Sequence, residues 1–245
     1  MSRPFSSRDY TGGYQSAQLI SGLLQGASIA HGSQTQLNLS GDFTIEGCLK
    51  MRSLPGSGAS YTIVSKYYGA GNQRSYAFQL FNNSGTQTLV VKISQNGTSF
   101  DRVKRDLTLP IGVWSHVAVT CTVANAATTE FEFFLNGVSI SNGNVLDDAS
   151  VTGIFFNSTA PFEVGLSESG SYFDGWIDEL RVWDDVRLVT EIRDNAFTEL
   201  VGDEANLVGY WKLNGDFQDS TANANHLIAA GTVLPVFKKD GGIDS

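Results

Sequence analysis

The feature that most constrains this chain is a period of two. From residue 43 onward, Phe43, Ile45, Gly47 and Leu49 alternate with Thr44, Glu46, Cys48 and Lys50. Successive side chains of a strand point to opposite faces, so this stretch fits a strand with one face in a core. The same reading gives strands at about 61–66, 76–81, 88–94, 99–104, 114–120, 131–135, 138–141, 162–166, 176–183 and 207–213. Turn residues separate them. Asn82-Asn83-Ser84-Gly85 joins one pair, Asn96-Gly97 turns the chain again, and Asn136-Gly137 is a two-residue hairpin turn in which both residues tolerate positive φ. Four Asn-x-Ser/Thr triplets, beginning at Asn38, Asn82, Asn96 and Asn157, read as further turn chemistry. The period changes only between 184 and 197, where Val186, Val189, Ile192 and Ala196 fall at spacings of three and four. That predicts one short amphipathic helix lying on the strands.

A chain of 245 residues is long for one domain, but all-β sandwiches run to ~200–250 residues as a single unit. No linker composition or internal repeat divides it, so one domain is expected over 21–237. Residues 1–20 show neither period and read as an arm, or as an edge strand preceded by a tail; 238–245 read as a solvated tail. Hydrophobic residues at 41% and charged residues at 17% support a substantial core rather than a disordered chain. The net charge of −9, with no basic run to offset it, argues against nucleic acid and anionic membranes as partners. No segment approaches the ~18 apolar residues of a membrane span, and the first ten residues lack the apolar centre of an export signal. Cys48 and Cys121 are too few for a disulfide framework or a cysteine zinc site.

Five segments together resemble a known family. They are Asp42-Phe43-Thr44-Ile45-Glu46-Gly47, Trp114-Ser115-His116-Val117-Ala118-Val119-Thr120, Phe133-Phe134-Leu135-Asn136-Gly137, 173–183 (Phe-Asp-Gly-Trp-Ile-Asp-Glu-Leu-Arg-Val-Trp) and Val208-Gly209-Tyr210-Trp211-Lys212-Leu213. In order and spacing they resemble the laminin-G-like domains of the concanavalin A-like lectin/glucanase superfamily, over roughly residues 20–230. The resemblance implies an all-β, two-sheet antiparallel jelly-roll sandwich, here with one short helix near 186–196. Function follows less directly, because this fold carries lectins, receptor modules, pentraxins and glycoside hydrolases alike.

Glycoside hydrolysis needs two carboxylates flanking one bond. Asp178 and Glu179 are adjacent on a strand and so should face opposite ways, and the hydrolases of this superfamily place acids at alternate positions where this chain has only Asp178. Catalysis is therefore not expected. Asp178 is expected on the face of Leu180 and Val182, as a partly buried carboxylate satisfied by backbone N–H groups or by a metal. His31, His116 and His226 stand in separate elements without zinc-binding spacing, and His116 reads as a structural hydrogen-bonding residue.

Calcium has a better set of donors. Asp216, Asp219, Asn223 and Asn225 supply hard oxygens in one loop, which is similar to the Asp/Asn-rich segment near the C-terminus of laminin-G-like domains; a set of Asx turns would use the same residues. A pentraxin-like double site would need acids after strand 162–166, where Ser167-Glu168-Ser169 has one, with Asn72 and Gln73 as its other half. Sugar recognition needs an aromatic face and directional polar groups. Tyr67, Tyr68, Asn72, Gln73 and Arg74 supply both in one stretch, and Glu168 and Tyr172 lie in a loop that the jelly-roll order could bring to the same rim.

The expected function is a non-catalytic recognition and structural protein with a lectin-like fold, a surface or decoration component of a phage-like virion assembly or another extracellular-facing surface, whose partners are neighbouring or identical subunits and a glycan or glycoprotein. A stand-alone or secreted carbohydrate-binding lectin is the alternative, and a glycoside hydrolase ranks last.

Overall fold

A computed structural model describes residues 15–125, 128–140, 145–146, 155–168 and 170–239. The strands are β1 (Gln15–Leu19), β2 (Gly26–Ile29), β3 (Phe43–Met51), β4 (Ser60–Tyr68), β5 (Gln73–Asn83), β6 (Thr86–Ile93), β7 (Asp101–Leu107) and β8 (Ser115–Asn125). They continue as β9 (Thr128–Leu135), β10 (Val138–Ser139), β11 (Val145–Leu146), β12 (Phe162–Val164), β13 (Gly175–Trp183), β14 (Leu207–Trp211), β15 (Ile228–Ala230) and β16 (Val236–Lys239). One α-helix, α1, spans Val189–Asn195. Among the described residues two eight-stranded sheets form, in the orders β10-β9-β8-β3-β13-β1-β16, with β14 also on β13, and β11-β7-β6-β5-β4-β12-β2-β15. The strand pairs are antiparallel, as in a jelly-roll sandwich.

The period of two becomes the core. Phe43, Ile45 and Leu49 of β3 and Val117, Val119 and Cys121 of β8 point inward from the first sheet, meeting Ile63, Phe78, Leu80, Leu89 and Val91 of the second. The Phe162 and Trp211 rings stack across the gap with centroids 5.2 Å apart, linking β12 to β14. The hairpin turn behaves as its residues predict: Asn136 and Gly137 have φ of 51° and 73°. Gly137 meets a second demand as well, because a Cβ there would stand 2.6 Å from the Cα of Arg193, and α1 could not pack so closely.

The boundaries of the sandwich differ from the sequence pattern. Residues 15–19, assigned above to the arm, form β1, which pairs with both β13 and β16 and so lies inside the sheet. Lys238, assigned to the tail, pairs with Ser16. Each strand is short and lacks a sustained alternation, too weak a signal alone, but the two complete each other's hydrogen-bond ladder. Residues 1–14 and 240–245 lie outside the described residues. The helix is shorter than its pattern: Ile192 and Ala196 are buried, whereas Val189 is exposed. Glu191 starts it, its carboxylate accepting from the Leu188 N–H at 2.8 Å.

Candidate functional site

Inward positions of the second sheet are taken by the core, so its outward positions define a face. Register places Lys92 of β6 opposite Arg102 of β7, and Val90 opposite Lys104. Phe81 of β5, Ser60 of β4 and the loop residues Gly58, Ala59, Gly170 and Ser171 complete a groove of about 430 Å³. Aromatic rings brace its cations. The Lys104 ammonium lies 5.5 Å from the Phe81 ring centroid, and that of Lys92 lies 5.9 Å from Tyr67 and 5.6 Å from Phe100. Tyr67 and Phe100 meet edge to face at 5.7 Å. Burial, with Arg102 beside it, lowers the pKa of Lys92.

Tyr67 joins this groove to the rim expected from sequence. Tyr67 and Tyr68 end β4, Gln73 and Arg74 begin β5, and the pairs Tyr67↔Arg74 and Tyr68↔Gln73 face each other. The connection between them is therefore a tight one over 69–72, in which Asn72 is exposed with φ of 55°. Glu168 comes to the same rim, where its carboxylate accepts from the N–H of Gly69 at 2.5 Å and of Ala70 at 3.3 Å. Tyr68 donates to Glu163 Oε1 at 3.0 Å; burial and the nearby Glu163, Glu168 and Tyr172 push its hydroxyl up to about 12.

The structure thus brings Tyr67, Tyr68, Asn72, Gln73, Arg74, Glu168 and Tyr172 together, but it engages several of their polar groups. Gln73 Oε1 accepts from the Thr159 N–H at 2.7 Å, and Arg74 Nη1 donates to the Thr98 carbonyl at 2.6 Å. These groups hold the rim in shape. Phe81, Lys92, Arg102 and Lys104 were not singled out by sequence. Their signal was present in the outward phase of the alternation, but which outward face is concave depends on the loops packed over it.

The Asp/Asn-rich loop is built differently. Asp219 Oδ1 accepts from the N–H of Tyr210 at 3.0 Å and of Thr221 at 2.9 Å, and Oδ2 accepts from Thr221 Oγ1 at 2.9 Å and the Asn225 N–H at 2.8 Å. Four donors match the roughly four lone-pair positions of a carboxylate. Asn223 and Asn225 turn their amide nitrogens to the Val208 carbonyl at 3.1 and 2.9 Å, and Asp216 accepts from the Gln218 N–H at 3.0 Å. These are the contacts of Asx-type turns, while Asn225 Oδ1 is buried without a hydrogen-bond partner. Among the described residues no group of three or more His, Cys, Asp and Glu side chains stands ready for a metal.

Asp178 and Glu179 require a correction. The pairing of β13 with β3 shifts register between Asp178 and Arg181, and Glu179 has φ of 50°. This bulge adds a residue, so Ile177, Leu180 and Val182 all enter the core and Asp178 does not share their face. It pairs with Cys48, on the sheet's outer side. Glu179 accepts from Arg181 Nη2 at 2.7 Å and from the Tyr210 hydroxyl at 2.6 Å. Glu46 joins the same buried network, accepting from Trp183 Nε1 at 3.0 Å and bonding His116 Nε2 at 3.0 Å. Arg181 also donates to the carbonyls of Asn195, at 3.0 Å, and Thr198, tying down the chain that follows α1. His116 thus has the hydrogen-bonding role expected of it.

Comparison with known proteins agrees with this architecture. No curated protein sequence matches the chain. Among solved structures, a candidate carbohydrate-binding protein from Bacteroides ovatus superposes with a TM-score of 0.62 at 16% identity, over 92% of this chain and 60% of that one. This chain therefore spans about 60% of the length of that protein. A heptameric SAP-like pentraxin from Limulus polyphemus gives 0.60 at 13% identity, over 93% and 96% of the two chains. The CBM40 of a Ruminococcus gnavus sialidase, bound to α2,3 sialyllactose, gives 0.50 at 18%, over 73% and 96%. At these identities the likeness concerns the fold. Residues 24–193 match the family model described as the Concanavalin A-like lectin/glucanases superfamily. With more than half of the chain matched and the two-sheet sandwich built around that span, the chain belongs to the concanavalin A-like lectin/glucanase superfamily.

Proposed function

We propose that this chain is a non-catalytic glycan-recognition module that holds a saccharide in the groove over β4–β7 and against the Tyr67–Arg74 rim, on an extracellular-facing or virion surface. The observation that carries the reading is the groove itself. Its volume of about 430 Å³ falls within the ~300–1,000 Å³ of small-ligand sites. Phe81 lines it and Tyr67, packed against the groove's Lys92, adjoins it, beside N–H and O–H groups of Arg102 and Ser60. Hydrolysis is disfavoured on chemical grounds. Asp178 and Glu179 are buried outside the groove, and Arg181 and Tyr210 engage Glu179. Two of the three superposed proteins are named for carbohydrate binding, which supports the same reading.

Binding should be measured by calorimetry or on a glycan array with the full chain. A Tyr67→Ala, Phe81→Ala variant that melts like the parent should lose about tenfold or more in affinity, the scale of one or two aromatic contacts. Undiminished binding by a folded variant would move the site elsewhere.

A role as a subunit of a larger assembly is the second reading, favoured by one observation. Where the loop after β15 packs back on Leu23 and Gln25, exposed apolar side chains gather: Leu24, Ile228, Val233, Leu234 and Val236. Here β15 and β16 are the edge strands of the two sheets among the described residues, and exposed apolar edges are surfaces that proteins use for association.

A further inference from the structure

A second pocket, of about 270 Å³, lies apart from the groove, where β8 and β9 of the first sheet meet β7 of the second. Register fixes one wall of it. Thr120 pairs with Glu132 and Thr122 with Glu130, so these four residues share one face of the first sheet, with Glu130 and Glu132 separated by ~7 Å of strand. Arg105 of β7 and Phe131 of β9 also line the pocket. Arg105 takes an inward position two residues after the core residue Val103 and is only 1% exposed. Its Nε and Nη1 atoms are buried with no hydrogen-bond partner. Two weaker influences reach the guanidinium, the Phe133 ring with its centroid 5.9 Å away and the charge of Glu132. Burial lowers the Arg105 pKa and Glu132 only opposes that shift, while one Glu132 oxygen already accepts from Ser139 Oγ at 2.5 Å. An arginine keeps its proton even when buried, so the fold holds a cation short of acceptors at the wall of a pocket.

The presence of both signs of charge narrows the ligand. A carboxylate would supply the acceptors that the planar guanidinium lacks, but a simple anion would be repelled by Glu130 and Glu132. A simple cation would leave Arg105 as it stands. A molecule carrying both charges a few bonds apart answers both, and a volume just below the ~300–1,000 Å³ of most ligand sites holds only a small one. We propose that this pocket binds a free α-amino acid, with its carboxylate on Arg105 and its ammonium toward Glu130 and Glu132, independently of the saccharide groove.

The test begins with thermal melts of the full chain in each of the common L-α-amino acids. At least one should raise the melting temperature by about 5 °C or more once its concentration reaches a hundred times its Kd. Calorimetry then compares that amino acid with the same molecule lacking its amino group and with the same molecule lacking its carboxylate; each analogue should bind at least about tenfold more weakly, as loss of a charge-assisted hydrogen bond requires. Arg105→Met should abolish binding while the ligand-free protein melts at the same temperature or higher, because an apolar chain of similar length replaces a buried guanidinium without acceptors. Glu130→Gln, at an exposed position, should weaken the amino acid about tenfold and leave the analogue without an amino group bound as before or tighter. The Tyr67→Ala, Phe81→Ala variant should bind the amino acid like the parent, which keeps this site distinct from the saccharide groove. No stabilisation by any amino acid, equal affinity for a singly charged analogue, or a fall in melting temperature on Arg105→Met, which would make Arg105 a structural core residue, would each overturn the proposal.

Discussion

Two buried carboxylates show how differently one residue type behaves in this fold. Burial works against the charge of Glu46, but the His116 hydrogen bond, the charge of Arg181 and the Trp183 N–H outweigh it and hold its pKa at about 2. Glu163 has weaker partners: burial pushes its carboxyl up to about 7, with Glu168 adding to the shift and hydrogen bonds from Tyr68 and Ser65 opposing it. A folded-state pKa raised above the usual 4.5 means a stabilising contribution present below pH 4.5 and lost as pH rises through 7. Glu163→Gln should therefore raise stability at pH 8, by an amount on the order of 2 kcal/mol, and change it little at pH 5. Melting curves at the two pH values decide it, and an equal effect at both would show that Glu163 is not buried as a strained anion. Neither fate was legible in the sequence, because the partners of Glu46 come from β8 and β13 and those of Glu163 from β4. His116 was readable as structural, since its outward phase sets it apart from Val117 and Val119.

Among the elements, turns were the most legible and the bulge the least. The Oδ1 atoms of Asn82 and Asn96 act locally: Asn82 Oδ1 accepts from the Gly85 N–H at 2.7 Å, and Asn96 Oδ1 from the Thr98 N–H at 2.8 Å. Such contacts need only neighbours in sequence. The bulge in β13 has no local marker. It lets the start of that strand pair with β1 and its end with β14, so its position is set by two strands distant in the chain. The Asp216–Asn225 loop carries the Asx-turn hydrogen bonds that its residue types predict. Its residue types suit calcium and Asx turns equally, and a titration separates the two. Asp219→Ala would leave the buried donors of Tyr210, Thr221 and Asn225 unpaired and should cost about 2–4 kcal/mol. The parent's melting temperature should be the same in EDTA and in millimolar calcium; a rise with calcium that Asp219→Ala removes would restore the cation reading.

For the whole molecule, the question is what the apolar edge meets. Ile228 is 75% exposed and Leu234 59%, large values for residues beside sheet edges. Light scattering should give a mass above one chain, and Ile228→Ser with Leu234→Ser should return it to the monomer with the melting temperature kept. A monomeric parent would remove this support for the assembly reading. The sandwich itself was largely determined by sequence, because the period of two, the Asn-Gly turns and the small charged fraction are each local properties that lead to the same two-layer core. Tertiary structure decided what the pattern leaves degenerate. Alternation assigns side chains to a face but not to a neighbour: whether an outward residue meets solvent, α1 or a groove depends on strand order and on which loops fold back. Glu46 and Lys92 occupy equivalent outward phases of their strands, yet one lies sealed beneath the chain around α1 and the other faces the groove, and only contacts between segments far apart in sequence make that difference.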